Sequence, residues 1–299
     1  MKAGRWVLAT LLAIGLSFVF KPSPVLADPA SFLSPGTVQG HFTAFETMPN
    51  PGPGGNCVIA GGGCVQSGIL RLSSFTNSGL EWQAGPVGLH SDGTELNGYF
   101  TNLTLTSPPN PLTFTGGKIV IYDVPFGTFN VNGGVVPTST PAGAAGFDGG
   151  GFAPFICPGV CPPPWLTLNF VPGINAPSDT STTVAGSFST SLNGSASGFL
   201  TVTGGTDAGF FHTQTFTFPG TGLSPADFRF TNQLSVCPAG GSPCGEAGSW
   251  PMAALDPVAG SVSAVPEPQS LLLLGSGLVG LSLWRRRQFN LNLAKRTDA

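Results

Sequence analysis

The chain of 299 residues has a formal net charge of −3, with 8% charged and 41% hydrophobic residues. Residues 28–264 hold three basic side chains against twelve acidic ones, which excludes the clustered lysines and arginines that nucleic-acid binding requires. A hydrophobic content this high argues against disorder. Together with 44 Gly, 29 Pro and 23 Phe it predicts a loop-rich globular domain.

The N-terminus has the pattern of a secretory signal peptide over residues 1–27. Lys2 and Arg5 precede a long apolar stretch, and Ala27 ends a short run of small or aliphatic residues of the kind that signal peptidase cuts. We therefore expect export through Sec-type machinery and cleavage after Ala27; an uncleaved anchor is the alternative. Either way, residues 28–264 cross the inner membrane.

Residues 28–244 form the predicted ectodomain. Apolar and polar side chains alternate there in short runs rich in β-favouring residues, with turn residues between the runs. This pattern predicts an all-β fold, a β-sandwich or jelly roll with long Gly/Pro-rich loops. The predicted strands are 40–45, 69–74, 103–106, 118–122, 166–170, 188–192, 199–202, 215–218 and 228–230.

A glycine-rich stretch over residues 132–154 interrupts the strand pattern. We expect one domain with a long mobile loop here, because the strand pattern resumes afterwards without a change in composition. The alternative is a boundary between two β domains.

Six cysteines lie in the exported part as three close pairs: Cys57 with Cys64, Cys157 with Cys161, and Cys237 with Cys244. In an oxidising compartment an even number of cysteines indicates disulfides, and proximity favours these local pairings. Each short loop would add about 2 to 2.5 kcal/mol on the chain-entropy model. Zinc is the alternative, but no pair has zinc-knuckle spacing.

Candidate catalytic and metal residues are few. His90, Ser91 and Asp92 include the residue types of a triad, but adjacent residues rarely converge on one point. Asp92, Glu95 and Asn97 offer oxygen ligands for Ca²⁺, although a polar hairpin turn explains them as well. Nothing selects a pair among the acids for glycoside cleavage, so we expect neither catalysis nor a cofactor.

Three tryptophans of the exported part, Trp82, Trp165 and Trp250, could form a platform on which sugars stack. The alternative, which we favour, is that each fills the core or a loop.

Residues 245–264 are rich in Ala, Gly, Ser and Pro, which predicts a flexible stalk. After the stalk come Pro266, Glu267 and Pro268, whose prolines hold the backbone extended and allow a helix to begin at its first turn.

The next segment, 268–284, carries no charged side chain and would span about 25 Å as a helix. This length is just enough for a transmembrane helix. Arg285, Arg286 and Arg287 would stop transfer and leave the tail 288–299 in the cytoplasm.

The C-terminal segment 265–287, together with the signal peptide, resembles the PEP-CTERM family of exported bacterial proteins. The resemblance rests on Pro266, Glu267 and Pro268, the apolar helix and the arginine cluster. It implies processing by an exosortase, a membrane enzyme that acts near the motif and passes the protein to the envelope, often in bacteria that make exopolysaccharide. The twelve residues after Arg287 are a longer tail than is usual in that family.

These features predict an exported protein with a transient inner-membrane anchor, bound for the periplasm, the outer envelope or the cell surface. We expect a noncatalytic surface or matrix domain, with surface polysaccharide as a possible partner. The alternative is a secreted carbohydrate-active hydrolase that uses two carboxylates.

Overall fold

The computed structural model describes residues 29, 33, 35–47, 63–77, 80–107, 111–157, 159–176, 179–188, 193–218, 221, 223–237 and 250–262. The predicted signal peptide, sorting motif, transmembrane helix, arginine cluster and tail lie outside these residues. Within the described ranges, no helix has both the length and the apolar character needed to cross a membrane.

Within the described residues, ten antiparallel strands form a single sheet. Their bounds are β1 Gly36–Glu46, β2 Val65–Asn77, β3 Leu80–Gln83, β4 Thr94–Ser107, β5 Leu112–Pro125, β6 Leu166–Val171, β7 Val184–Phe188, β8 Asn193–Gly204, β9 Phe228–Val236 and β10 Met252–Val262. Three short helices accompany them: α1 Pro141–Gly146, α2 Ala153–Ile156 and α3 Ala208–Phe211, with a π-helical segment, Phe147–Gly151, between α1 and α2.

The sheet closes into a barrel because β1 pairs with β10 on one side and with β2 on the other. Eight strands make the ring, in the order β1, β10, β9, β8, β6, β5, β4 and β2. Two further strands are attached to it: β3 forms a hairpin with β2, and β7 pairs with both β5 and β8. The all-β prediction is confirmed, with one closed sheet in place of two packed sheets.

The barrel interior holds the larger hydrophobic core. Alternate residues of each strand point inward, as in Val38 and Ala44 of β1 and Leu70 and Leu72 of β2. Near the N-terminal half of β1 an aromatic group fills the barrel, with ring centroids 5.1 to 6.2 Å apart between neighbours. Its members are Phe75, Trp82, Trp165, Phe211 and Phe228.

A second core lies outside the barrel wall, under the insertion 126–165 between β5 and β6. Phe152 of the insertion stacks on Tyr99 with ring centroids 3.9 Å apart, and Phe155 packs against Trp250. Asp148 accepts a hydrogen bond from the Tyr99 hydroxyl at 2.9 Å and pairs with Lys118 at 2.7 Å.

The glycine-rich stretch 132–154 lies within this insertion, and it contains short helical segments where a long loop was expected. α1 begins with Thr140 as N-cap and Pro141 in the first turn. The helical segments that follow bury Phe147, Phe155 and Ile156. Strands before and after the stretch belong to the same closed sheet, so the stretch does not separate two β domains.

The predicted stalk also needs correction, because Met252–Val262 is β10 and closes the barrel between β1 and β9. Met252 and Ala254 are almost completely buried. The ectodomain therefore extends beyond residue 244, to Val262.

Most predicted strands coincide with parts of β1, β2, β4, β5, β6, β8 and β9. Of the predicted strand 188–192, only Phe188 is described, as the last residue of β7. The predicted strand 215–218 is absent, and Phe216 forms only an isolated bridge with Ala226.

The pairing of Cys157 with Cys161 is confirmed, with Cα atoms 5.3 Å apart. Cys64 and Cys237 are also disulfide-bonded, and no described cysteine is free. Cys57 and Cys244, their predicted partners, lie outside the described residues.

Candidate functional site

A cavity of about 90 Å³ lies inside the barrel. Residues of all eight ring strands line it, and seventeen of the twenty described lining residues are apolar. The three polar ones are Glu46 on β1, Gln66 on β2 and Asn232 on β9. A cavity lined in this way, with few polar groups, is typical of a binding site for a small molecule.

Glu46 is the last residue of β1, and strand alternation directs its side chain into the barrel. The Gln66 amide nitrogen, on the neighbouring strand β2, donates a hydrogen bond to Glu46 Oε2. Glu46 is 5% exposed, and burial raises the pKa of its carboxyl from 4.5 to about 8. At neutral pH this carboxyl is therefore mainly protonated, and it both donates and accepts hydrogen bonds.

Asn232 forms the polar part of the wall on β9. Its Oδ1 accepts a hydrogen bond from the backbone nitrogen of Ala196 on β8, at 3.0 Å. This contact fixes the amide against the β8–β9 pair, so its main observed role is structural.

The surroundings of the cavity differ between its two ends along the barrel axis. The aromatic group of Phe75, Trp82, Trp165, Phe211 and Phe228 lies beside the N-terminal half of β1, since Phe75 pairs with Gly40. Glu46 is at the opposite end of the same strand. The cavity is lined on β1 by Phe42, Ala44 and Glu46 and by none of the five aromatic rings, so the aromatic group lies beyond the cavity lining on the side away from the polar pair Glu46 and Gln66.

The proposed calcium residues do not share one site. Glu95 and Asn97 lie on the outer face of the barrel wall, fully buried beneath the insertion. Glu95 Oε1 accepts hydrogen bonds from Asn97 Nδ2 at 2.9 Å, Thr128 Oγ1 at 3.0 Å and the Phe129 nitrogen at 2.6 Å. This carboxylate attaches the start of the insertion to β4.

Asp92 has separate partners. Its Oδ1 accepts from Trp82 Nε1 at 3.4 Å and from the Thr94 nitrogen and hydroxyl at 3.1 and 2.7 Å. No group of three or more His, Cys, Asp or Glu side chains within the described ranges could hold a metal ion. The calcium prediction therefore has no structural support among these residues.

The sequential residues His90, Ser91 and Asp92 do not form a triad either. His90 Nδ1 lies 3.2 Å from the Glu81 carbonyl oxygen, and the Ser91 hydroxyl donates to the Gly85 carbonyl at 2.6 Å. Each side chain thus stabilises a different part of the loop after β3.

The structure does pair another histidine with an acid: His212 Nδ1 lies 3.3 Å from Asp227 Oδ2. The same carboxylate accepts from the Val202 nitrogen at 2.7 Å and, through Oδ1, from the Gln214 nitrogen at 2.6 Å. Asp227 is fully buried. It holds the chain after α3 against β8, and no described serine or cysteine contacts the pair.

The three tryptophans are buried, with at most 2% of each side chain exposed. Trp82 and Trp165 belong to the aromatic group inside the barrel, and Trp250 donates a hydrogen bond to the Val131 carbonyl at 3.1 Å under the insertion. They fill the two cores, as the alternative interpretation expected, and offer no platform for sugars.

Glu46 and Gln66 were not predicted as site residues. A signal was present for Glu46, since the positions Val38, Gly40, Phe42, Ala44 and Glu46 follow the inward side of an alternating strand. An acid at an inward-facing position is expected to be buried, and buried acids are rare unless they have a hydrogen-bond or ionic partner.

A family model for the PEP-CTERM protein-sorting motif matches residues 264–287. The chain carries this motif. The match begins two residues after the end of β10 and includes Pro266, Glu267, Pro268 and the three arginines. It supports export and membrane-associated sorting to the cell envelope, with an exosortase as the processing partner. No curated protein and no solved structure matches the chain.

Proposed function

We propose that this exported, C-terminally sorted protein acts without catalysis at the cell surface, in contact with the exopolysaccharide matrix. The match to the PEP-CTERM motif over residues 264–287 carries the proposal, because it specifies the destination. Signal peptidase and the Sec-type machinery act first, and the exosortase acts once residues 28–264 have crossed the membrane.

The positions of three buried acids favour a noncatalytic role. Glu46 faces the interior of the barrel, whereas Glu95 lies on the other face of the wall and binds the insertion. Asp227 is fully hydrogen-bonded to backbone and side-chain donors. A glycosidase needs two carboxylates that face one groove, and these three acids serve separate parts of the fold.

A polar face on β8 and β9 supports the contact with polysaccharide. Ser195 pairs with Gln233, and Ser197 pairs with Thr231, across these two strands. The Ser197 hydroxyl donates to the Thr231 hydroxyl at 3.2 Å. Short uncharged side chains on the outer surface of the barrel wall can exchange hydrogen bonds with sugar hydroxyls without the cost of removing a charge from water.

Co-sedimentation with purified exopolysaccharide tests this proposal. The wild-type protein should sediment with the polymer, and Thr231→Asp should reduce the bound fraction because it places a negative charge on the polar face. Thr215→Asp, at an exposed position after α3, is the matched control and should bind as the wild type does. Release of reducing sugar from the polymer by the wild-type protein would instead favour the hydrolase.

A further inference from the structure

We propose that the barrel interior is a binding site for a small, largely apolar molecule that carries one hydroxyl or carboxyl group, held by Glu46 and Gln66. This inference goes beyond the surface role and rests on the cavity alone. It assigns a ligand class to a part of the molecule that the polar face on β8 and β9 does not involve.

The walls determine the apolar part of the ligand. Side chains such as Leu70, Phe100, Ile121 and Leu200 leave no polar partner along most of the cavity, so a strongly hydrated molecule would lose its hydrogen bonds on entry. An apolar molecule gains free energy when it leaves water for such a surface.

The volume determines the size of the ligand. An apolar cavity of about 150 Å³ accepts benzene, and the cavity here measures about 90 Å³. A straight chain of a few carbon atoms fits this volume better than an aromatic ring does. Phe42 lines the cavity on β1, four residues before Glu46, so the apolar end of the chain would point towards Phe42.

The polar pair determines the functional group. Glu46 and Gln66 are each 5% exposed, and the amide of Gln66 already donates to the carboxyl. With a protonated carboxyl, this pair offers both a donor and an acceptor to a ligand, which matches a hydroxyl or an uncharged carboxyl group.

An ionised ligand is disfavoured, because no described residue that lines the cavity carries a compensating charge. Glu46 is the only titratable group among those residues. A charged group inside this wall would lose its hydration without gaining an ion pair.

The test uses the full chain in lipid nanodiscs and 3-fluoropropan-1-ol, which is smaller than benzene, as a ¹⁹F NMR probe, with empty nanodiscs as the reference for partition into lipid. We expect saturable binding to the wild type. Ala196→Leu, which fills the cavity from β8, should weaken binding by about tenfold or more. Ala185→Leu places the same side chain on the outer face of β7 and should leave binding unchanged.

The polar contact is tested separately. Glu46→Leu should weaken binding of the alcohol about five- to tenfold without weakening that of 1-fluoropropane, which has no hydroxyl. Glu46→Gln should retain most of the affinity for the alcohol, since an amide also donates and accepts.

Two results would overturn the inference: binding to the wild type no greater than to empty nanodiscs, or equal binding to wild type and Ala196→Leu. Ala44→Leu fills the cavity from β1 and replaces Ala196→Leu if that variant does not fold. Sorting of the protein is independent of every one of these outcomes.

Discussion

Two buried glutamates occupy opposite faces of the same barrel wall and have different environments. Glu46 faces the interior and has one described hydrogen-bond partner, Gln66. Glu95 faces outward and accepts three hydrogen bonds beneath the insertion. Glu46 is therefore sensitive to pH, whereas Glu95 is the attachment point of a structural element.

Glu46 should make the stability of the protein depend on pH. Between about pH 4.5 and 8 the folded protein keeps a proton on Glu46 that the unfolded chain releases, because burial raises the pKa of this carboxyl to about 8. Below pH 4.5 Glu46 is protonated in both states and does not lower the free energy of unfolding. As the pH rises from about 4.5 to 8, Glu46 lowers the free energy of unfolding progressively, and above pH 8 its effect no longer changes. Glu46→Gln should remove the slope and stabilise the protein at pH 8 by a few kcal/mol.

Urea unfolding at a series of pH values between 4 and 9 measures this effect. Glu81→Gln, at a partly exposed position on β3, is the control and should keep the slope of the wild type. The same slope in Glu46→Gln as in the wild type would show that Glu46 is not protonated in the folded state.

Glu95→Ala should loosen the start of the insertion. The change leaves the Phe129 amide and the Thr128 hydroxyl without their acceptor, at a cost of about 1 to 3 kcal/mol for a buried donor. Hydrogen exchange at the Phe129 amide should accelerate, while exchange in β8 stays slow. Glu95→Gln keeps an acceptor oxygen and should have a smaller effect. Equal protection of Phe129 in wild type and Glu95→Ala would contradict this role.

At the level of elements, the insertion 126–165 and β10 were not predicted, and both supply buried residues to the hydrophobic cores. The insertion covers the outer face of β4 and β5 with Phe147, Phe152 and Phe155. β10 supplies the strand without which β1 and β9 would be open edges. Both segments have compositions rich in small residues, which usually indicate loops.

The role of β10 leads to a paired prediction. Ala254→Asp should destabilise the protein by about 3 kcal/mol or more, because Ala254 is completely buried between β1 and β9. Leu255→Asp is on the same strand but 56% exposed, and it should change stability by less than about 0.5 kcal/mol. Thermal unfolding of the two variants measures the difference. A flexible stalk would tolerate both changes, so equal stability would contradict the position of β10.

Strand alternation was sufficient to predict parts of seven ring strands, because in each predicted part the inward-facing side chains are mostly apolar and packed into the barrel core. β10 was not predicted, since Ala254, Gly260 and Ser261 resemble a linker and their burial depends on pairing with β1, more than 200 residues earlier in the chain. Closure of the sheet depends on the same distant pairing. Thr140 and Pro141 form a sequence pattern typical of a helix N-terminus, but the many glycines that follow favour a loop, so the helices were not predicted.

The candidate site was harder to predict than the fold. The cavity results from packing among residues of distant strands, so no local pattern reports its existence. Among the polar cavity residues, only Glu46 could have been recognised in the sequence, because it is an acid at an inward-facing position of β1. By contrast, the sorting motif is contiguous and independent of the fold, which is why the sequence was enough to identify it.

At the scale of the whole molecule, a closed barrel is followed almost immediately by a sorting signal. β10 ends at Val262 and the matched motif begins at residue 264, so few residues separate the folded domain from the segment on which the exosortase acts. The described strands of the barrel do not include the motif, so the loss of the motif would remove none of them.

Glu267 lies between the two prolines of the motif and carries its one charge. Glu267→Ala should leave export and signal-peptide cleavage intact but prevent C-terminal processing. Western blotting with tags at each end of the mature chain measures both events, and Glu81→Ala serves as a control with one acid removed from the barrel. Normal loss of the C-terminal tag in Glu267→Ala would exclude a role for this carboxylate in recognition.

The most direct test of C-terminal sorting is the intact mass of the protein recovered from the envelope of bacteria with and without the exosortase. We predict that the protein from the exosortase-containing strain lacks Arg285, Arg286 and Arg287 and everything after them, whereas the protein from the deletion strain retains them. The same unprocessed C-terminus in both strains, arginines included, would contradict the assignment.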